Sequence, residues 1–258
     1  LYFDPGFVDA EQGDFRLRPD SPCIDAGLDY PDAYNSVDFA GGIRVCGRCV
    51  DLGAYESDGA PKDPHARPAT TLFVDAAIGS DTNSGMEEQQ PFQTIQKAIE
   101  VSVEGDEIVV ADGVYTPICT LGRRIGIRSV NGADRTIIDG DGVSGCARFN
   151  GVRDSLGKSV LTGFTLRNGK SDSGAGSFGG TLNACVLSDN FGRFGGGASG
   201  SALNNCLILN NRASLYGGGS LSGTLIGCTV VGNEADHVGG GSEGGTLYNC
   251  IVWGNVCT

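Results

Sequence analysis

The chain contains ten cysteines, and two of them, Cys46 and Cys49, lie in the short motif CGRC. This spacing is that of half a zinc site or of a redox-active pair. No second CxxC motif and no nearby histidine completes it, and His237 lies far away in the chain. We therefore expect no metal here. A local disulfide among Cys23, Cys46 and Cys49 is the alternative if the protein is exported.

Carboxylates are the second group that could support chemistry, namely the cleavage of polysaccharides. A glycoside hydrolase needs two carboxylates at a set separation, and a lyase needs several to hold Ca²⁺, with Arg or Lys as the base. Four acids of the second half of the chain lie at different offsets from the cysteine of their own segment: Asp189, Glu234, Asp236 and Glu243. Three arginines are scattered likewise: Arg167, Arg193 and Arg212. We therefore predict no catalytic, cofactor-binding or metal-binding residue.

Aspartates are denser in two short segments near the start of the second half. Asp139 and Asp141 lie in IIDGDG, and Asp75 and Asp81 lie in DAAIGSD. Aspartate beside glycine is typical of turns, and a structural Ca²⁺ is the alternative. No Ser/His/Asp arrangement, P-loop or dinucleotide-binding motif is present.

A repeat of 21 or 22 residues runs through the second half of the chain. Its first element is a leucine, at positions 161, 182, 203, 225 and 247. Three residues later comes Phe164 and then cysteine at 185, 206, 228 and 250, and two residues further an aliphatic residue. Asparagine follows each cysteine by five residues, at 190, 211, 233 and 255, while Asn168 of the first copy falls one place early. Glycine clusters follow near 174–176, 195–197, 217–219 and 239–241.

This period, combined with apolar residues two apart, predicts an all-β solenoid in which each repeat is one coil. Leucine-rich repeats have a similar period, but they need more leucines and a helix-like return segment, whereas the return here is rich in glycine. A parallel β-helix fits better. Its coils would stack about 4.8 Å apart, so leucine lies on leucine and cysteine on cysteine inside the rod. We expect these cysteines to be free core thiols.

Three segments precede the regular coils. Residues 91–103 place Phe92, Ile95, Ile99 and Val103 on one helical face, which predicts a helix that caps the open end of the β-helix. Residues 57–70 hold three prolines and no periodic apolar positions, which indicates a linker. The predicted domains are therefore 1–56, the linker 57–70, and a β-helix over 71–258, with cap and early coils at 71–160 and regular coils at 161–258.

Composition limits the partners. The formal net charge of −13 disfavours nucleic acid and anionic membranes. No run of 18 apolar residues suggests a membrane span, and the acidic first residues do not resemble a signal peptide. We expect a monomer whose export signal lies outside this sequence.

Several motifs resemble a known class of proteins. The segments TLFVDAAIGSDTNSG, PFQTIQKAIEVSVEGDEIVVADGVYT, RSVNGADRTIIDGDG and LTGFTLRNG, together with the coils, resemble bacterial secreted or surface proteins with a right-handed parallel β-helix of the pectate-lyase-like class. The glycine clusters with aliphatic-x-x-Asn also resemble polymorphic outer-membrane-protein repeats. DPGFVDAEQGDFRLRPDSPCIDAG, in 1–56, is similar to the segment that closes such units after their last coil.

The resemblance implies a location outside the cell or at its surface, in association with the outer membrane. The function expected from it is a non-catalytic scaffold for adhesion or glycan contact, with a polysaccharide or a neighbouring cell surface as partner. The alternative is a polysaccharide lyase or glycoside hydrolase that acts on acidic polysaccharide. No cofactor is expected in the first case.

Overall fold

The computed structural model describes residues 4–12, 14–18, 21–23, 69–149 and 159–258. Contacts divide the chain into two compact units, one near the amino terminus and one that contains residues 69–149 and 159–258. The CGRC cysteines and all of the predicted linker except residues 69–70 lie outside the described residues. The predicted boundaries at 56 and 70 therefore stay a prediction.

The amino-terminal unit contains a short antiparallel hairpin. Strand β1 (Phe7–Asp9) pairs with β2 (Asp14–Leu17), and a 3₁₀ turn (Ala10–Gln12) lies between them. The rings of Phe7 and Phe15 meet edge to face, 5.5 Å apart between centroids. Cys23 is buried and is a free cysteine. Since Cys46 and Cys49 lie outside the described residues, the disulfide expected among these three cysteines stays a prediction.

The second unit begins with one helix and seven short strands. They are β3 (Thr71–Val74), α1 (Ile95–Val101), β4 (Glu107–Val110), β5 (Gly113–Tyr115), β6 (Ile118–Cys119), β7 (Gly126–Ser129), β8 (Thr136–Asp139) and β9 (Ala147–Arg148).

The regular coils follow, with short strands separated by glycine-rich or asparagine-containing turns. They are β10 (Val160–Thr162), β11 (Thr165–Arg167), β12 (Lys170–Ser173), β13 (Ser177–Phe178), β14 (Thr181–Asn183), β15 (Val186–Ser188), β16 (Phe191–Phe194), β17 (Ala198–Ser199), β18 (Ala202–Asn204), β19 (Leu207–Leu209), β20 (Arg212–Tyr216), β21 (Ser220–Ile226), β22 (Thr229–Val231), β23 (Glu234–Ala235), β24 (Ser242–Tyr248), β25 (Ile251–Trp253) and β26 (Val256–Cys257).

The strands of the second unit stack into three parallel sheets that run along the solenoid. Sheet I follows the order β3-β4-β7-β10-β14-β18-β21-β17-β13-β9-β6, and β24 also pairs with β21. Sheet II follows β25-β22-β19-β15-β11-β8-β5, and sheet III follows β12-β16-β20-β23-β26. Since neighbours in every sheet belong to successive coils and run parallel, the predicted parallel β-helix is confirmed.

The register between coils explains the repeat. Leu161 pairs with Leu182, Leu182 with Leu203, Leu203 with Leu225 and Leu225 with Leu247, which are steps of 21 or 22 residues. The first four of these leucines are fully buried. An identical side chain above and below fills the same volume in each coil, which keeps the interior closely packed. The core is therefore a set of stacked columns.

Asparagines form a buried hydrogen-bonded ladder at the turn after sheet II. The Oδ1 atom of Asn211 accepts hydrogen bonds from the backbone N–H (3.1 Å) and Nδ2 (2.8 Å) of Asn190. Nδ2 of Asn211 donates to Leu187 O at 2.9 Å and to Oδ1 of Asn233 at 2.9 Å. The ladder satisfies backbone groups that the turn would otherwise bury without partners.

The early position of Asn168 in the first coil has a structural reason. Gly169 takes the ladder position in that coil, and its N–H donates to Oδ1 of Asn190 at 2.7 Å. Asn168 occupies the preceding turn position with a φ of 53°, which asparagine adopts more readily than most residues. It does not belong to the ladder.

The central glycines of the clusters lie where two coils approach closely. A Cβ atom added to Gly218 would overlap the carbonyl oxygens of Glu234 and Gly240. Both obstacles are backbone atoms of the neighbouring coil, so they could not move aside as a flexible side chain does. The glycine is required by stacking at this position.

Helix α1 lies within the segment for which the sequence predicted a helix, and it is shorter than that segment. Thr94 caps it by accepting a hydrogen bond from Lys97 N at 3.1 Å. Ile95, Ala98 and Ile99 are buried against the first strands of the solenoid. That this helix covers the open end of the β-helix stays a prediction.

The buried ladder generates a stability prediction. Asn211→Ala removes the acceptor of two Asn190 donors and the donor to Leu187 O, and buried groups left without partners cost about 1–3 kcal/mol each. We expect the free energy of unfolding to fall by about 3 kcal/mol or more in urea titrations.

The matched control is Asn204→Ala in the same coil. Nδ2 of Asn204 donates one hydrogen bond, to Oδ1 of Asn183, at a partly exposed position. Its loss should cost about 1 kcal/mol or less. Equal losses in the two variants would contradict the role assigned to the buried ladder.

Candidate functional site

The repeat cysteines lie inside the solenoid. Cys185, Cys206 and Cys228 are buried, Cys250 is partly buried, and all four are free cysteines. The neighbouring thiol of Cys185, together with burial, raises the pKa of Cys206 to about 12. The Cys206 thiol and burial raise the pKa of Cys228 as well. Burial opposes ionisation of Cys185, but hydrogen bonds from the Cys206 thiol and from backbone groups outweigh it and lower the pKa of Cys185. Cys185, Cys206 and Cys228 are at most 3% exposed, so a substrate cannot reach these thiols, and this column does not resemble a catalytic cysteine site.

The aspartates of the DAAIGSD segment accept hydrogen bonds from local backbone groups. Oδ1 of Asp75 accepts from Ala77 N and Ile78 N. Oδ1 of Asp81 accepts from Gln93 N and Thr94 N, both at 2.9 Å, just before helix α1. These are contacts of turn and helix-start residues.

Asp139 of the IIDGDG segment is bound by three groups. Its carboxylate accepts from Arg167 Nε at 2.7 Å, from Asn168 Nδ2 at 3.0 Å and from Asp141 N at 3.0 Å. Partial burial opposes ionisation, but these hydrogen bonds outweigh it and hold the pKa of Asp139 below its usual value. The arginine supplies the positive charge that a bound cation would otherwise supply.

Charged side chains converge on the outer face of sheet III. Arg212 lies in β20, and Glu234 pairs with it in the neighbouring strand β23. Arg212 Nη2 is 3.0 Å from Asp236 Oδ1, and Arg212 Nε is 3.7 Å from Glu234 Oε1. All three side chains are between one third and one half exposed. One guanidinium therefore serves two carboxylates at the surface.

Aromatic side chains lie on the same face. The rings of Phe194 and Tyr216 stack at 6.0 Å between centroids, and the ring of His237 lies 6.0 Å from Tyr216. The guanidinium of Arg193 lies 5.1 Å from the Phe194 ring centre, and that of Arg212 lies 6.0 Å from the Phe191 ring centre.

We name this surface the sheet III strip. It consists of eight residues from successive coils: Phe191, Arg193, Phe194, Arg212, Tyr216, Glu234, Asp236 and His237. The strip combines apolar ring surface with guanidinium donors and carboxylate acceptors, which is a set suited to a ligand with both apolar and hydroxyl-bearing faces.

The other two faces differ from the strip. The outward positions of sheet II in the regular coils are largely aliphatic, as at Val186, Leu207, Leu209 and Val231. The outward positions of sheet I are mostly small or polar, as at Thr162, Asn183 and Asn204, and Ile226 is an apolar residue of the same column. Aromatic and charged side chains also lie on the other sheets, as at Trp253 and in the Arg148–Phe178 contact. Among the described residues, sheet III differs in joining stacked rings to a guanidinium shared by two carboxylates.

The sheet III strip is not predicted when the offsets of acids and of arginines are considered separately. Glu234 and Arg212 each lie six residues after the cysteine of their own coil, so they share one column with opposite charges. Comparing acids with bases at equal offsets would have found the pair. Asp189 lies instead at a turn with a φ of 57°, and Glu243 lies in β24.

Comparisons with known proteins do not identify a function. A family described as a protein of unknown function, DUF1565, matches residues 77–120, which include α1 and strands β4, β5 and β6. A solved structure titled rhamnogalacturonan lyase aligns with 70% of this chain at 17% identity and a TM-score of 0.42. This chain covers 56% of the length of that structure. A search of curated proteins found no match.

The carboxylate of Asp139 gives a pH-dependent prediction. Because its pKa is lower in the folded protein than the value of about 3.9 expected on unfolding, it stabilises the fold above that pH and loses the effect as pH falls. Asp139→Asn should lower the unfolding free energy by about 1–3 kcal/mol at neutral pH and by less near pH 3. Thermal melts across this pH range provide the measurement.

The control for this variant is Asp141→Asn, two residues away in the same turn. The side chain of Asp141 is exposed, and asparagine tolerates its φ of 52°. We expect little change. Both results should be the same with added Ca²⁺ and with a chelator, and a loss seen only with Ca²⁺ would instead favour a structural calcium site.

Proposed function

We propose that this protein is a non-catalytic scaffold, located outside the cell or at its surface, that contacts glycans through the sheet III strip. The observation that carries the proposal is that stacked aromatic rings and a guanidinium paired with two carboxylates lie together on the outer face of sheet III. Stacked coils hold these side chains in fixed order, as an extended ligand requires.

Sugar chemistry fits such a surface. A sugar ring has one face of C–H groups and a rim of hydroxyls, so it packs on an aromatic ring while its hydroxyls meet charged donors and acceptors. Phe194 and Tyr216 offer the ring surface, and Tyr216 is 38% exposed. Arg193 and Arg212 offer guanidinium donors, and Glu234 and Asp236 offer acceptors.

The charge pairing on the strip supports binding over catalysis. A glycoside hydrolase needs one carboxyl group that carries a proton to the leaving oxygen. Glu234 and Asp236 both contact Arg212, so either carboxyl group would have to leave its ion pair to serve as that acid. A lyase needs a base that is available to the sugar, and Arg212 is already engaged by two acids.

The alternative function is a polysaccharide lyase or glycoside hydrolase of the pectate-lyase-like fold. The same cluster is the observation that favours it, because Arg212 lies between two carboxylates and Tyr216 and His237 are close by. Binding of substrate could then displace one ion pair. Product assays separate the two functions.

The proposed partners and location follow from composition and resemblance. The net charge of −13 disfavours nucleic acid, and a polysaccharide or a neighbouring cell surface remains the proposed partner. Among the described residues, no helix has the length and apolar character needed to cross a bilayer.

Binding can be measured by affinity electrophoresis in gels that contain acidic or neutral polysaccharides. We expect at least one polysaccharide to retard the migration of the protein. Phe194→Ala/Tyr216→Ala should weaken that binding at least about tenfold, because two stacked rings are lost. Tyr248→Ala is the matched control, since Tyr248 is an exposed aromatic on sheet I. Equal weakening in both variants, or no retardation at all, would contradict the proposed site.

The catalysis prediction uses the same polysaccharides in solution. We expect neither unsaturated nor newly formed reducing sugar ends, with or without Ca²⁺, even after long incubation. Product formation that Asp236→Asn or Arg212→Lys abolishes would overturn the scaffold function and establish the enzyme. Phe194→Ala/Tyr216→Ala is a second control. It removes no charged group, so it shows how much product is lost through weaker binding alone.

A further inference from the structure

The four repeat cysteines occupy the same position in four successive coils. Each lies between a strand of sheet I and a strand of sheet II, and because both flanking strands pair in register with those of the next coil, each cysteine is placed over the next one. The thiols on both sides, Cys185 and Cys228, act on the pKa of Cys206, which places them close to it. Each sulfur also lies 3.3–3.5 Å from a leucine carbonyl oxygen of the preceding coil.

The two ends of the column differ. Phe164 takes the cysteine position in the coil before Cys185 and is fully buried, so its ring closes that end. Cys250, at the other end, is only partly buried, and the flanking Leu247 and Val252 are 38% and 48% exposed. The column therefore opens to solvent at Cys250.

The spacing of the coils matches a particular type of metal coordination. Strands in neighbouring coils lie about 4.8 Å apart, which is longer than the Cβ separation of about 3.8 Å in a disulfide. Two metal–sulfur bonds of about 2.3 Å placed end to end span about 4.6 Å. A single ion with two sulfur ligands in a line therefore fits between consecutive thiols, whereas a disulfide would require the coils to move.

The geometry points to a binding site for soft monovalent metal ions, Cu(I) or Ag(I), with each ion held between two consecutive cysteines. Each sulfur binds one ion, so the column of four thiols holds two. Thiolate sulfur is the protein ligand that such ions prefer. No other donor is needed, because a two-coordinate ion is complete with the sulfur above it and the sulfur below it.

The charge balance of this exchange suits a buried site. Each monovalent ion that enters a gap displaces one thiol proton, which leaves to solvent, and forms bonds to two sulfurs. Two ions, each between one pair of consecutive thiols, leave two thiolates, two protonated thiols and a column without net charge. The core therefore gains no unpaired charge, which would be costly in an apolar interior.

The same geometry disfavours zinc. Structural Zn²⁺ takes four ligands in a tetrahedron. Within 69–149 and 159–258, no group of three or more His, Cys, Asp or Glu side chains is placed to hold a metal ion. The column is consistent with the expected free thiols in the metal-free protein, and the inference adds a ligand that these thiols accept.

Silver ion is the probe for the test. The fully reduced chain carrying Cys46→Ser/Cys49→Ser, which removes the CGRC thiols, is titrated with silver nitrate in chloride-free buffer and analysed by native mass spectrometry. Two variants are compared with this parent. Cys185→Val should bind one silver ion fewer. Cys206→Val/Cys228→Val leaves no consecutive thiols and should lose all the column ions. Cys257→Ser is the control, because Cys257 is exposed and lies outside the column.

Two further measurements keep the test decisive. Circular dichroism confirms that each valine variant folds, as expected for a volume-conserving apolar change. Silver should raise the melting temperature of the parent and of Cys257→Ser but not of Cys206→Val/Cys228→Val, because a ligand that binds only the folded state stabilises it. Equal silver stoichiometry in the parent and the folded double variant would overturn the proposal, as would X-ray absorption that shows silver without two sulfur neighbours.

Discussion

Parallel pairing between coils is the constraint on which the structure depends. It places each residue of one coil over its counterpart in the next, about 4.8 Å away. From Leu161 to Leu247 this register is kept through five strands of sheet I. A side chain that fits one interior position must therefore also fit the equivalent positions in the coils above and below. This is why the interior residues repeat along the sequence.

Two neighbouring interior columns have different roles under this constraint: one provides hydrogen bonds and the other fills apolar space. The asparagine column supplies both a donor and an acceptor at every level, so the turn is satisfied without water. The cysteine column fills, with small apolar side chains, the interior position that Phe164 fills in the preceding coil. Stacking makes both columns continuous. A continuous line of hydrogen bonds gives stability, and a continuous line of sulfur gives the spacing that a two-coordinate ion requires.

Outward positions escape the constraint, and the proposed function depends on them. They must tolerate solvent and the side chains of adjacent coils, but they need not repeat. On sheet III the sequence uses this freedom to place Phe191, Arg212 and Glu234 at one position of successive coils. The resulting contacts are cation–π and ionic contacts between different residues. A ligand that runs across the coils would meet a changing set of groups held on a rigid backbone.

The sequence by itself determined the coil length, the interior columns and the parallel β-helix, because burial and strand spacing act on every coil alike and leave a period in the letters. It contained the shared offset of Arg212 and Glu234 but could not reveal the rest of the sheet III strip. The coil from 203 to 224 has one residue more than the coil before it, and the extra residue lies between Ala213 and Tyr216, where the pairing of β16 and β20 shifts. That shift brings Tyr216 onto Phe194. Likewise, only the fold showed that Arg167 and Asn168, in the coil after Asp139, bind its carboxylate. Contacts between coils join residues far apart in the chain, and their partners are set by the exact register, which the three-dimensional structure alone decides.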